Sequence, residues 1–296
     1  MQTVKKYLSL VKFSHTIFAL PFAIIGFVLG VVQSEKILHS TSFLLRYGYK
    51  FLFVLICMIT ARNAAMAFNR YLDRNIDALN PRTAIREIPK GIITANNALT
   101  FVIVNCLIFI IATYCINTIC FYLSPVALFV ILFYSYTKRF TALCHLVLGL
   151  GLSLAPIGAF LAVVGEFELL PVIFSFIVLF WVSGFDIIYA LQDESFDASQ
   201  KLHSIPVYLG KSKALLLSRV LHIICALLII IAGIVGAFNW LFIIGAIGFI
   251  AMLVFQQMLV KPNDLSKVNL AFMTANGIAS VVFATFVIAD VLMFKS

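Results

Sequence analysis

Apolar and polar positions fall in long blocks along this chain, not at the short periods of a soluble fold. Nine apolar runs lie at roughly 13–33, 48–68, 97–115, 117–135, 143–164, 168–191, 214–237, 239–259 and 270–293. Each is about 17–25 residues long, the length a helix needs to cross the hydrocarbon of a bilayer. The pattern predicts an all-α integral membrane fold of nine transmembrane helices, with residues 1–296 as a single polytopic domain. Connections at Asn117 and Asn239 are so short that their flanking helices are expected to be antiparallel neighbours. Met1 to Leu10 is short and polar, and no small-residue cleavage site follows the first run. That run therefore reads as a spanning helix and not as a secretory signal.

The polar gaps set an orientation. With the N-terminus inside, seventeen of the 21 Lys and Arg residues lie in inner loops or helix ends, and only Lys36, Arg46, Lys50 and Lys295 lie outside. Positive residues stay on the cytoplasmic side, so the N-terminus is expected there. Two inner loops are long, about 69–96 and 192–213. Composition agrees with the class: 63% of residues are hydrophobic and 11% charged, against about 25% charged in a soluble domain. The net charge of +9 fits basic inner loops and an anionic ligand, and no segment has the pattern of a nucleic-acid module. The six cysteines sit in or beside apolar runs without a Cys-x-x-Cys pair, so no disulfide or zinc role is expected.

Two stretches concentrate acid in a chain that has only 12 Asp and Glu residues. Asn69, Asp73 and Asp77 follow one another at intervals of four, which stacks them on one helical face. Asp193 and Asp197 repeat the interval, and Asp186 lies two turns earlier on the same face. One such pair alone reads as a solvated helix end. Two on the same side of the membrane read as a cation site, because carboxylates near a bilayer are costly unless they hold positive charge. Oxygen-only ligands of this kind suit Mg²⁺ shared with a substrate phosphate. Asn69, Asp73, Asp77, Asp193 and Asp197 are thus the candidate metal ligands. Basic residues accompany them: Arg62 before the first stretch, Lys138 and Arg139 at the inner end of the fourth run, and Lys201, Lys211 and Lys213 after the second stretch. These are candidates for diphosphate binding.

With these residues in place, the chain resembles the UbiA superfamily of intramembrane aromatic prenyltransferases over almost its whole length. Asn69-x-x-x-Asp73-x-x-x-Asp77, followed by Asn80-Pro-Arg82-Thr, looks like the family's first Asp-rich motif. Asp186-x-x-Tyr189-Ala-x-Gln-Asp193-x-x-x-Asp197 looks like the second. Tyr134-Ser135-Tyr-Thr-Lys138-Arg139 resembles the family's basic segment, and Gly210-Lys-Ser resembles its Gly-x-Lys-Ser stretch. Arg70 stands where many members have Asp, which points to a subgroup with a different acceptor.

The resemblance implies a central cavity open to the cytoplasm and Mg²⁺-dependent transfer of a polyprenyl group from polyprenyl diphosphate to an aromatic acid, 4-hydroxybenzoate-like, in quinone synthesis. It implies substrate contacts from Arg62, Tyr134, Ser135, Lys138, Arg139 and Lys201, and catalytic roles for Asp186, Tyr189 and Arg139. Ser14 and His15 would lie near the acceptor. The 29 Phe residues are candidates for the walls of an isoprenoid tunnel with a side opening to lipid. The implied location is a bacterial inner membrane with the active site facing the cytoplasm. Two alternatives remain at this level: prenylation of a hydroxynaphthoate in menaquinone synthesis, and an anion transporter with helices broken near Pro21, Pro125, Pro156 and Pro171.

Overall fold

The computed structural model describes residues 2–11, 18–38 and 43–295, with side chains from 6–11, 18–34 and 46–295. Ser14 and His15 lie outside them. The described residues form helices α1 (Gln2–Leu10), α2 (Leu20–Leu38), α3 (Phe43–Leu72), α4 (Arg74–Leu79), α5 (Ala95–Ile116), α6 (Thr118–Thr137), α7 (Cys144–Val164), α8 (Leu169–Ala190), α9 (Glu194–Ser199), α10 (Ile205–Val235), α11 (Trp240–Leu259) and α12 (Asn276–Phe294). Eight of the described helices are long and apolar enough to cross a membrane. The first expected span corresponds to α2, whose apolar part is Leu20–Ser34.

Local chemistry sets the ends. Thr94 caps α5 by accepting from the Asn97 N–H, and Asn117 caps α6 by accepting from Cys120. The Asn117 amide also donates to the Leu161 carbonyl at 2.7 Å, which pins the α5–α6 turn to the end of α7. The N-terminus of α11 is capped from another helix: fully buried Asp290 of α12 accepts from the backbone of Asn239 and Phe242 at 3.0 Å. Helix α10 begins nine residues before the apolar run expected at 214. Gly210, with φ of 74°, breaks it there, and an L side chain would be strained at that angle.

The helices pack in two unequal halves. Helices α2, α7, α8, α10, α11 and α12 form a closed ring, each touching the next, and α3, α5 and α6 pack against the α7 side of it. The ring is filled with aromatic side chains. Phe22, Trp181, Phe249 and Phe283 are all essentially inaccessible and meet at centroid distances of 5.1–6.2 Å. The other half is hollow: a cavity of about 350 Å³ runs between α3, α5, α6 and α7.

Candidate functional site

The two acidic stretches end α3 and α8 in the same way. Asp73 closes α3 and precedes the six-residue α4, and Asp193 closes a 3-10 turn after α8 and precedes the six-residue α9. Their backbones nearly coincide, with φ, ψ of −86°, 1° at Asp73 and −104°, 1° at Asp193. This sparsely allowed region recurs at active sites. The helical register survives the break, since Asp73 N–H donates to Asn69 O at 2.9 Å and Asp77 N–H to Asp73 O at 2.7 Å. Asn69, Asp73 and Asp77 therefore share a face, as their spacing predicts.

Each acid meets a base from elsewhere in the chain. Asp73, 1% exposed, pairs with Lys138 and with Arg139, whose Nη2 lies 2.9 Å from Oδ1, and it also accepts from the Asn69 amide at 3.3 Å. Both Asp77 oxygens accept from Arg86 Nη1 at 2.8 Å. Asp193 takes a two-pronged contact from Arg82, Nε at 2.9 Å and Nη2 at 2.5 Å, and a further bond from the Asn80 amide at 3.3 Å. Arg82 Nη1 donates to the Tyr189 hydroxyl at 3.1 Å. Burial works against the charge on Arg82, but its bonds to Asp193 and Tyr189 outweigh that and hold its pKa above the ordinary arginine value. These contacts join the loop after α3 to the end of α8. Asp197 is half-buried and makes no ion pair among the described residues, although Lys138 and Arg82 act on it electrostatically.

A second group lies beside the first. Asp186 of α8 is bonded to His145 of α7, Oδ2 to Nδ1, at 2.6 Å. The Ile205 N–H lies 3.4 Å from Nε2, a contact that fits the ring form with its proton on Nδ1, facing the carboxylate. The sequence gives no local sign of this partnership.

One end of the cavity in the hollow half of the bundle lies near these groups. Arg62 and Tyr134 line it, and Tyr134 feels the charges of Asp73, Asp186 and Arg62. The Nε of Arg62 is sealed from the surface with no hydrogen-bond partner among the described residues. The remaining walls are almost wholly apolar and mostly small or aliphatic, with Phe109 and Phe167 the two phenylalanines in them. The expected phenylalanine tunnel is thus corrected. Phe22, Phe174, Phe249 and Phe283 fill the ring of helices, and Phe51, Phe53, Phe68 and Phe101 pack α3 and α5 away from the cavity walls.

The other expected residues are distributed as follows. Ser135 is buried beside Tyr134. Lys201 is exposed in a positive-φ turn and makes no ion pair among the described residues. Lys211 pairs with Glu194 at 3.5 Å. Arg70 is committed to scaffolding: its Nη1 lies 3.1 Å from Glu87, which also accepts from Ser9 of α1. Among the described residues no three acidic, Cys or His side chains converge closely enough to hold a metal between them; Lys138, Arg139, Arg82 and Arg86 stand among the acids.

Comparisons with known proteins agree with this architecture. Residues 19–278 match the model of the UbiA prenyltransferase family. The 4-hydroxybenzoate octaprenyltransferase of Tolumonas auensis is 28% identical over 80% of this chain and 84% of its own length. The enzyme of that name from Francisella tularensis subsp. novicida is 29% identical over 79% and 82%. The apo structure of a UbiA homologue from Aeropyrum pernix K1 superposes with a TM-score of 0.77 at 27% identity, covering 94% of this chain and 97% of that one. A homologue from Archaeoglobus fulgidus bound to DMAPP and Mg²⁺ shares the fold, with a TM-score of 0.75 at 20% identity over 98% and 100%. The chain is an integral membrane protein and a member of the UbiA prenyltransferase family.

Proposed function

We propose that this enzyme transfers a polyprenyl group from polyprenyl diphosphate to an aromatic acid of the 4-hydroxybenzoate type, with Mg²⁺, from the cytoplasmic side of a bacterial inner membrane. One observation carries the reading: two acidic segments, joined by the chain's own basic residues, stand beside one end of an apolar cavity. The names of the relatives, 4-hydroxybenzoate octaprenyltransferase, support the acceptor class, and the Mg²⁺ held by the A. fulgidus neighbour supports the metal. Family membership favours an enzyme over the anion transporter. The Lys and Arg asymmetry supports the orientation.

The donor set fits a hard dication. It offers carboxylates and an amide from Asn69, Asp73, Asp77, Asp193 and Asp197, and Asp197 has no ion pair among the described residues. When bound, Mg²⁺ supplies neutralisation of the charge that grows on the diphosphate as the allylic C–O bond breaks. The chain's residues do the rest. Lys138, Arg139 and Arg82 turn from their carboxylates to the diphosphate oxygens, exchanging one anion for another at little electrostatic cost. Arg62 offers its unsatisfied Nε to a diphosphate oxygen or to the acceptor carboxylate. The apolar walls exclude water from the allylic cation. The ring carbon ortho to the acceptor hydroxyl attacks that cation. Asp186, oriented by His145, takes the proton released as aromaticity returns.

Asp73→Ala and Asp193→Ala are expected to abolish Mg²⁺-dependent prenyl transfer in membranes while the protein still accumulates. Full activity in either variant would overturn the metal assignment.

A further inference from the structure

The hollow half of the bundle is lined along its depth by residues of α3, α5, α6 and α7. Gly151 and Gly158 lie two turns apart on α7 and both line the cavity. A Cβ built on Gly158 meets nothing within 4 Å, and one on Gly151 meets only the Ile131 Cα at 3.9 Å. Some other helical glycines serve close packing, since a Cβ on Gly26 would fall 2.0 Å from the Pro156 carbonyl oxygen and one on Gly149 would fall 2.3 Å from Ser183 Oγ; Gly48 and Gly248 also meet nothing within 4 Å, but they do not line the cavity. The two cavity glycines therefore leave space that no described residue uses. A ligand is indicated independently by Arg62, whose sealed Nε has no partner among the described residues and belongs to a side chain lining the same apolar space.

The geometry fixes levels along this space. On α6, Tyr134 lies at the end of the space nearest the acidic segments and Cys120 at the other end, fourteen residues or about 21 Å apart along the helix axis. Gly151 faces Ile131, one turn, roughly 5 Å, from Tyr134. Gly158 lies two turns further, about 15 Å from the level of Tyr134. An extended isoprene unit advances about 5 Å, four chain bonds of about 1.5 Å laid in a zigzag. Gly151 thus stands beside the first unit of a bound tail and Gly158 beside the third.

We propose that Gly158 sets which isoprenoid lengths this protein accepts, by leaving open the stretch of cavity that a tail's third unit must pass. The inference rests on the proposed prenyl transfer and adds the residue that selects the donor. A two-unit geranyl tail ends above Gly158, and an octaprenyl tail has to pass it. Replacing Gly158 by a large side chain therefore discriminates by length, whereas replacing Gly151 obstructs both tails.

The test is a competition between geranyl diphosphate and octaprenyl diphosphate, with 4-hydroxybenzoate and Mg²⁺, in membranes carrying the full chain with Gly158 as wild type, Ala, Leu or Phe. Products are separated by mass. The ratio of geranyl to octaprenyl product is expected to rise with side-chain size, by at least about tenfold (1.4 kcal/mol) at Gly158→Phe. Gly151→Phe is expected to lower both products without that change of ratio. A ratio that is flat across the Gly158 series overturns the inference, and so does loss of both products in proportion at every size. Wild-type membranes that prenylate with neither donor would instead overturn the transfer reading beneath it, a result seen before any variant is compared.

Discussion

Arg70→Ala separates a scaffold role from an acceptor role. Arg70 is 4% exposed, and Glu87, its partner, is 9% exposed. Their contact, 3.1 Å from Nη1 to Oε2, holds the loop after α4 against the end of α3, and the Ser9 hydroxyl adds α1 to the same carboxylate. Removing one member of a buried pair costs about 3–5 kcal/mol, because the other charge is left without compensation. At about 2–4 °C per kcal/mol for a chain of this size, thermal inactivation of the detergent-purified protein should fall by roughly 6–20 °C. Replacing both residues with apolar ones of similar volume, Arg70→Met with Glu87→Leu, should recover most of the loss. Acceptor preference, measured below the new inactivation temperature, should match wild type. An Arg70→Ala protein that is thermally unchanged but prefers another acceptor would refute the reasoning and return Arg70 to the acceptor site.

Two further substitutions probe other parts of the account. His145→Ala should lower kcat more than it raises KM, since it frees the carboxylate of Asp186 to turn from the acceptor, and His145→Asn, whose amide can donate from near the Nδ1 position, should recover part of the loss; equal kcat in all three proteins would remove His145 from the mechanism. Gly26→Val should destabilise the protein by at least about 1–3 kcal/mol, the cost of overpacking, because α2 and α7 approach closely at the Pro156 carbonyl, and an unchanged inactivation temperature would contradict that packing.

Much of the fold is legible in the sequence because a bilayer demands long apolar helices, and eight of the described ones meet that demand. The early start of α10 is not legible: Lys211 and Lys213 interrupt the apolar pattern, and only the structure shows helix on both sides of Gly210. The acidic faces are legible because four-residue spacing is a local property. Their partners are not, because Arg82 and Asp193 lie 111 residues apart and His145 and Asp186 lie 41 apart. Arg70 is the instructive case. Its identity suggests a different acceptor, and its position beside Glu87 gives it a structural role that neighbouring sequence cannot reveal. Phenylalanine count likewise says nothing of which half of the bundle is solid and which hollow.

The most direct test of the central claim is to incubate membranes carrying this protein with octaprenyl diphosphate, Mg²⁺ and a panel of phenolic acids, and to identify products by mass. The account predicts a prenylated 4-hydroxybenzoate that disappears when Mg²⁺ is chelated. Absence of a prenylated product from every acid, with Mg²⁺ and intact protein present, would contradict it.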